Sequence, residues 1–182
     1  IGSSVEGANI LTRCLIVVGQ GAIRCHPCVR EEIQAVADRD LARFDRAFFR
    51  HIGFTMTNAW RSFVLGCTGG WLARPRVAGA LDNYAGQLSR LSAAFAFLSD
   101  LAMATLGADL KRREMLSGRM ADALAWMYMG SATLKRYLDE GSRPEDLPYA
   151  RWALQTAVYR ASLAMDEFIE NFPVSWVRWM RP

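Results

Sequence analysis

The chain has 182 residues, 52% of them hydrophobic, and a formal net charge of +4. That length holds one domain, or one domain and a piece of another, and the composition excludes a disordered tail. The longest apolar runs, Leu15 to Val18 and Ala93 to Leu98, fall far short of the roughly 18 residues a membrane-spanning helix needs.

The basic excess is mild and belongs to no nucleic-acid-binding module, so nucleic acid is not expected as a partner. Its tightest cluster, Lys111-Arg112-Arg113, runs straight into Glu114 and reads as a solvated turn. No basic start, apolar run and small-residue cleavage site follow one another near Ile1, so the four cysteines are expected as reduced thiols in the cytoplasm. The run Cys25-His26-Pro27-Cys28 resembles half of a zinc site. No second Cys pair follows it, and no metal site is expected.

In chain order the sequence reads as helix after helix, with no sustained strand alternation and no hairpin turn dipeptide. A first helix is expected from about Ala8 to Val18, ended by Gly19 and Gly21, and a loop follows to Cys28. A short helix covers Val29 to Ala37. Asp40 then caps a helix over Leu41 to Ile52, with Leu41, Phe44, Phe48 and Ile52 as its inner face. Gly53 should break that helix, and another resumes from Thr55 to Leu65 with Trp60 and Val64 four apart. The glycine-rich stretch Gly66 to Gly79 reads as a connector that lets the preceding part pack separately.

Three long helices come next. Leu81, Tyr84, Leu88, Leu91, Phe95, Leu98, Ala102 and Thr105 recur at steps of three and four as one seam. Gly107 and Asp109 mark its end. The second stripe is Met120, Leu124, Met127, Leu134 and Leu138, stopped by Gly141. Arg143-Pro144-Glu145-Asp146 is a turn, with Ser142 and Glu145 as a capping box. The third stripe is Leu154, Val158, Ala161, Met165, Phe168 and Phe172, stopped by Pro173. Short loops between long helices imply antiparallel packing, so the expected fold is all-α, a mostly antiparallel multi-helix bundle.

Candidate chemistry concentrates in Val5-Glu6-Gly7-Ala8-Asn9-Ile10-Leu11-Thr12-Arg13. Read alone, Glu6 complements a helix N-terminus and Gly7 supplies a turn. The segment also resembles the glutamate-glycine motif of acyl-CoA dehydrogenases. Gly19-Gln20-Gly21-Ala22-Ile23-Arg24-Cys25-His26-Pro27 is similar to the large bacterial fatty-acid-degrading branch of that family. So are Leu110 to Glu114, Leu134 to Tyr137, Asp146-Leu147-Pro148 and Asn171-Phe172-Pro173.

The resemblance implies that residues 1–25 end the catalytic domain and that 26–182 form a helical extension, incomplete at its end. It implies an FAD-dependent dehydrogenase that converts fatty acyl-CoA to the trans-2-enoyl-CoA in β-oxidation. Glu6 would be the base, Gly7 would let backbone approach the substrate, and Ala8, Asn9 and Ile10 would touch FAD. Ala8 stands where a Thr is common, so a hydroxyl contact is absent there. The partners implied are fatty acyl-CoA, an electron-transfer flavoprotein and further copies in a homo-oligomer. Ile1 and Pro182 read as cuts through a longer protein, and the isolated chain is expected to be inactive and to retain no FAD, because one loop cannot hold a flavin.

A second reading makes the chain a helical interaction or membrane-docking module without chemistry of its own. The tail from Phe172 to Arg181, with Trp176 and Trp179 alternating with arginines, suits peripheral contact with an inner membrane or packing on its own bundle. His26 and His51 are the only histidines, and no nucleophile with an orienting group stands at a matching position.

Overall fold

A computed structural model describes residues 12, 21, 25–75 and 79–178; the side chains of Ala108 and Lys111 are not described. Among these residues there is no strand. The helices are α1 (Val29–Ala37), α2 (Leu41–Cys67), α3 (Asp82–Leu106), α4 (Glu114–Asp139), α5 (Leu147–Glu170) and the short α6 (Ser175–Arg178). Short 3-10 turns at Trp71–Ala73, Gly79–Leu81 and Gly107–Arg112 link them. The all-α bundle expected from sequence is what forms. The expected helix over Ala8 to Val18 lies outside the described residues, Thr12 apart.

The core is built by α3, α4 and α5. Leu88, Leu91 and Leu98 of α3 meet Met120, Ala123 and Met127 of α4 and Leu154, Ala161 and Phe168 of α5, all buried. Every residue of the third stripe is buried, and in the first only Thr105 is exposed, its hydroxyl donating to the Leu101 carbonyl. The second stripe is corrected. Leu124 is exposed, while Leu116, Ala121, Ala123, Gly130 and Tyr137 point inward. Gly130 marks the closest approach. A Cβ there would lie 3.0 Å from Leu88 Cδ2 and 3.2 Å from the Ala157 Cβ, so three helices meet where a side chain is missing. Arg119 on α4 also reaches Glu167 on α5 at 2.8 Å.

Asp40 caps α2 as expected, its carboxylate accepting from the Arg43 N–H at 2.9 Å. Gly53 does not break the helix: α2 runs unbroken for 27 residues. A single internal glycine costs about 1 kcal/mol relative to Ala, less than the packing along α3 returns. The inner face is also corrected. Leu41, Phe48 and Ile52 are exposed, and Ala47, Asn58 and Leu65 are buried. Small and polar residues turn inward because α2 lies close against α1 and α3. Asn58 Nδ2 has no hydrogen-bond partner among the described residues.

The glycine-rich connector does not separate two bodies. Gly70, at φ 77°, closes α2 by donating to the Leu65 carbonyl at 2.8 Å, and its backbone then lies directly on Gly86 of α3. A Cβ on Gly70 would sit 2.3 Å from the Gly86 oxygen, and one on Gly86 would sit 2.5 Å from the Gly70 oxygen. Both glycines are needed for this backbone-on-backbone contact. The capping box is not formed either. Ser142 takes φ 54° in the turn after Gly141, and α5 starts at Leu147 with no side-chain cap. Instead the Ser142 carbonyl accepts from the Tyr137 hydroxyl at 3.2 Å. At the other end of α5, Phe172 and Val177 fold back into the core and Trp176 stays exposed. No described helix is long and apolar enough to cross a membrane.

Candidate functional site

The residues expected to carry the chemistry, Glu6, Gly7, Ala8, Asn9 and Ile10, lie outside the described residues. What the structure does assemble is a buried polar cluster where the segment entering α1 meets α2 and α3. His26 precedes α1, and its ring nitrogen Nδ1 faces the backbone N–H groups of Cys28 and Val29, each at 3.2 Å. Two amide donors aimed at one nitrogen require a lone pair there, so the ring proton sits on Nε2. That N–H is directed at Asp100 Oδ1 at 3.0 Å, and Thr55 of α2 donates to Asp100 Oδ2, also at 3.0 Å. One carboxyl on α3 thereby ties down α2 and the start of α1.

Burial lowers the pKa of His26 below its ordinary 6.5, opposed by the Asp100 carboxyl and reinforced by the neighbouring His51 ring. His51 lies with its ring centroid 4.5 Å from that of His26, and its Nδ1 is 2.9 Å from Glu32 Oε1. Phe54 closes the other side edge-on.

His26, His51 and Asp100 place three ligand-type atoms within 4.8 Å of one another, a grouping the sequence reading missed because Asp100 is remote from both histidines. The hydrogen bonds argue for a structural role. A metal ligand uses a lone pair, and the His26 lone pair already faces two amides while Nε2 carries the proton. A base needs the same lone pair. Cys25 is exposed and Cys28 is buried, and the Cys28 N–H caps the ring. One signal in the sequence did point here. Asp100 is the only charged residue between Leu91 and Ala108, and a lone carboxyl inside an apolar helix is usually buried with partners.

Beside this cluster lies a cavity of about 330 Å³, walled by Phe54, Phe95, Met103, Leu110 and Met120, with Gly21 at its edge. Its lining is almost wholly apolar, and the described residues around it offer no set of donors that would hold a flavin's ring nitrogens or pyrophosphate.

A family model described as acyl-CoA dehydrogenase, C-terminal, bacterial type, matches residues 23–181. The chain belongs to that family. The match runs through all the helices described above. No solved structure matches the chain. The acyl-CoA dehydrogenase resemblance read from the motifs is therefore right at the level of the family.

Proposed function

We propose that the chain is the C-terminal part of an FAD-dependent acyl-CoA dehydrogenase that introduces a trans double bond next to the thioester of fatty acyl-CoA. The observation that carries the reading is the family match over residues 23–181, with a Glu-Gly segment just ahead of it at Glu6 and Gly7. In this reading residues 1–25 finish the catalytic domain and 26–182 form a helical extension that supports it.

Glu6 removes the proton from the carbon adjacent to the thioester carbonyl. That proton is weakly acidic, so the carboxylate must be held close and shielded from water. The Glu6 backbone N–H polarises the thioester oxygen, as an oxyanion-hole donor does. Gly7 lets the chain approach the substrate, and Ala8, Asn9 and Ile10 line the flavin. FAD bound beside this segment would supply a hydride acceptor for the next carbon, and an electron-transfer flavoprotein is the proposed acceptor of its electrons. The described residues do not themselves fit a flavin, so this extension supplies rigidity and leaves the chemistry to the preceding segment.

The test is bleaching of the flavin absorbance of the full-length protein by a long-chain acyl-CoA. Wild type is expected to bleach. Glu6→Gln is expected to keep its flavin and bleach at least about a hundredfold more slowly, the low end of what a general base contributes. Equal rates would return Glu6 to the role of a helix-flanking carboxylate. A full-length protein without flavin would overturn the whole reading.

A further inference from the structure

The neutral imidazole of His26 takes the place of a capping side chain at the start of α1. The first N–H groups of a helix have no partner inside it. Cys28, the residue before Val29, makes no side-chain cap, and its own N–H and that of Val29 are both met by His26 Nδ1 at 3.2 Å. Their acceptor is the one lone pair the ring has. A second proton would sit on that nitrogen, turn the acceptor into a donor and set three N–H groups against one another. It would also bring a positive charge to the positive end of the α1 dipole. The His26 side chain is 8% exposed, so water does not take over the cap.

The charged and titratable groups around this ring, among the described residues, all bear on that event. From α3, Asp100 meets Nε2 at 3.0 Å, with Thr55 holding its second oxygen. From α1, Glu32 is taken by His51, 2.9 Å from that ring's Nδ1. From α2, His51 itself lies 4.5 Å from His26 between ring centroids. Arg50 is held by the Pro27 carbonyl at 3.2 Å and by Glu31. Cys25 and Cys28 flank the ring in sequence, and Leu110, Met120 and Leu124 on the cavity side carry no charge. Neither carboxylate is hydrogen-bonded to His26 Nδ1, and two charged rings would stand against each other.

We infer that His26 and His51 together form an acid-sensitive latch: a proton on His26 Nδ1 frees the start of α1 from α2 and α3 while the α3–α5 bundle stays folded. The bundle core, with Leu91, Met120, Leu154 and Phe168, is apolar and involves neither histidine. Cys25, His26 and Pro27 form one wall of the cavity beside Phe54 and Phe95, so an open latch also admits water there. An exposed His26 titrates near the ordinary 6.5, and the closed one lower. Opening therefore becomes easier as pH falls below about 6.5, and stops changing once the closed ring is itself charged. The latch belongs to the helical extension and does not depend on flavin chemistry.

The experiment is hydrogen exchange of the full chain, read by mass spectrometry from about pH 7 to pH 5, above the usual carboxylate range, with exchange times scaled to the intrinsic rate. In wild type, peptides covering α1 are expected to lose about tenfold protection across that window, and those of α5 to keep theirs. His51→Phe keeps a ring and removes its charge, so α1 should stay protected to a pH lower by about 0.5–1 unit. A cluster that only packs would instead loosen at every pH when His51 is lost. His26→Gln keeps an acceptor and cannot take the proton, so it should show no acid loss in the window even where its protection is lower throughout. Nitrogen NMR of histidine-labelled wild type reads the ring without any variant, and Nδ1 should gain its proton as α1 opens. Loss of α1 and α5 together would overturn the latch, as would an acid loss that persists in His26→Gln. Unchanged or earlier opening in His51→Phe, or a His26 ring that stays neutral while α1 opens, would overturn it too.

Discussion

The α3–α5 bundle and the α1–α2 hairpin are both helical, yet they are organised in opposite senses. In the bundle each helix turns its large apolar residues inward, and Leu154, Ala161 and Phe168 are fully enclosed. In the hairpin most of the large residues of α2 point outward, and what lies inward is Ala47, Asn58, Leu65, Thr55 and the His26–Asp100 pair with Phe54 against it. Amphipathicity alone therefore says that a helix has two faces and not which of them meets its own chain. The bundle is held by apolar area, the hairpin by hydrogen bonds and a tight glycine contact.

The largest expected effect tests the bundle side of that contrast. Leu154→Ala, at a site with no exposure, should lower the unfolding free energy by about 2–5 kcal/mol, read from the denaturant midpoint. A loss under about 1 kcal/mol would mean that the three-helix core is looser than its burial indicates.

Next comes the seam between the two regions. Gly70→Ala forces a side chain into the Gly86 backbone at a positive φ, where two costs of roughly 1–3 kcal/mol add: overpacking and left-handed strain. Hydrogen exchange should show α2 loosening before α5. Uniform loss across both would mean that hairpin and bundle unfold as one unit.

The smallest effect is pH-dependent. His26 is held neutral in the folded state, its pKa below the ordinary 6.5, so the unfolded chain binds a proton that the folded chain resists. Its contribution is complete above about pH 6.5 and is lost as pH falls from there through the folded value. Protonation would also aim an N–H at the Cys28 and Val29 amides. His26→Gln should flatten the slope of unfolding free energy against pH in that window, as read by denaturation at a series of pH values. An unchanged slope would mean another group carries the acid sensitivity.

Much of the bundle was legible. Period-three-and-four apolar spacing found the inward stripes of α3 and α5, because a helix packed on one side leaves that period in its sequence. Asp40 announced the start of α2, since a capping carboxylate acts within its own turn. Gly53 misled, because a glycine's local cost says nothing of the contacts that outweigh it. Gly130 and Ala123 were passed over in favour of Leu124, because the closest helix approach selects small residues that an apolar count ignores. Of the candidate chemistry, the Glu6 segment was singled out by motif and lies outside the described residues. The His26–Asp100–Thr55 cluster was not, since its members lie far apart along the chain.

By itself, then, the sequence determined the helical class, the inward stripes of α3 and α5 and the family, because each is written in local spacing or ordered motifs. The tertiary structure decided which face of α2 turns inward and how Gly70 and Gly86 share one contact. It also decided which way the proton on His26 points. Those depend on what a residue meets in space, and the same local pattern is compatible with either answer until its neighbours are in place.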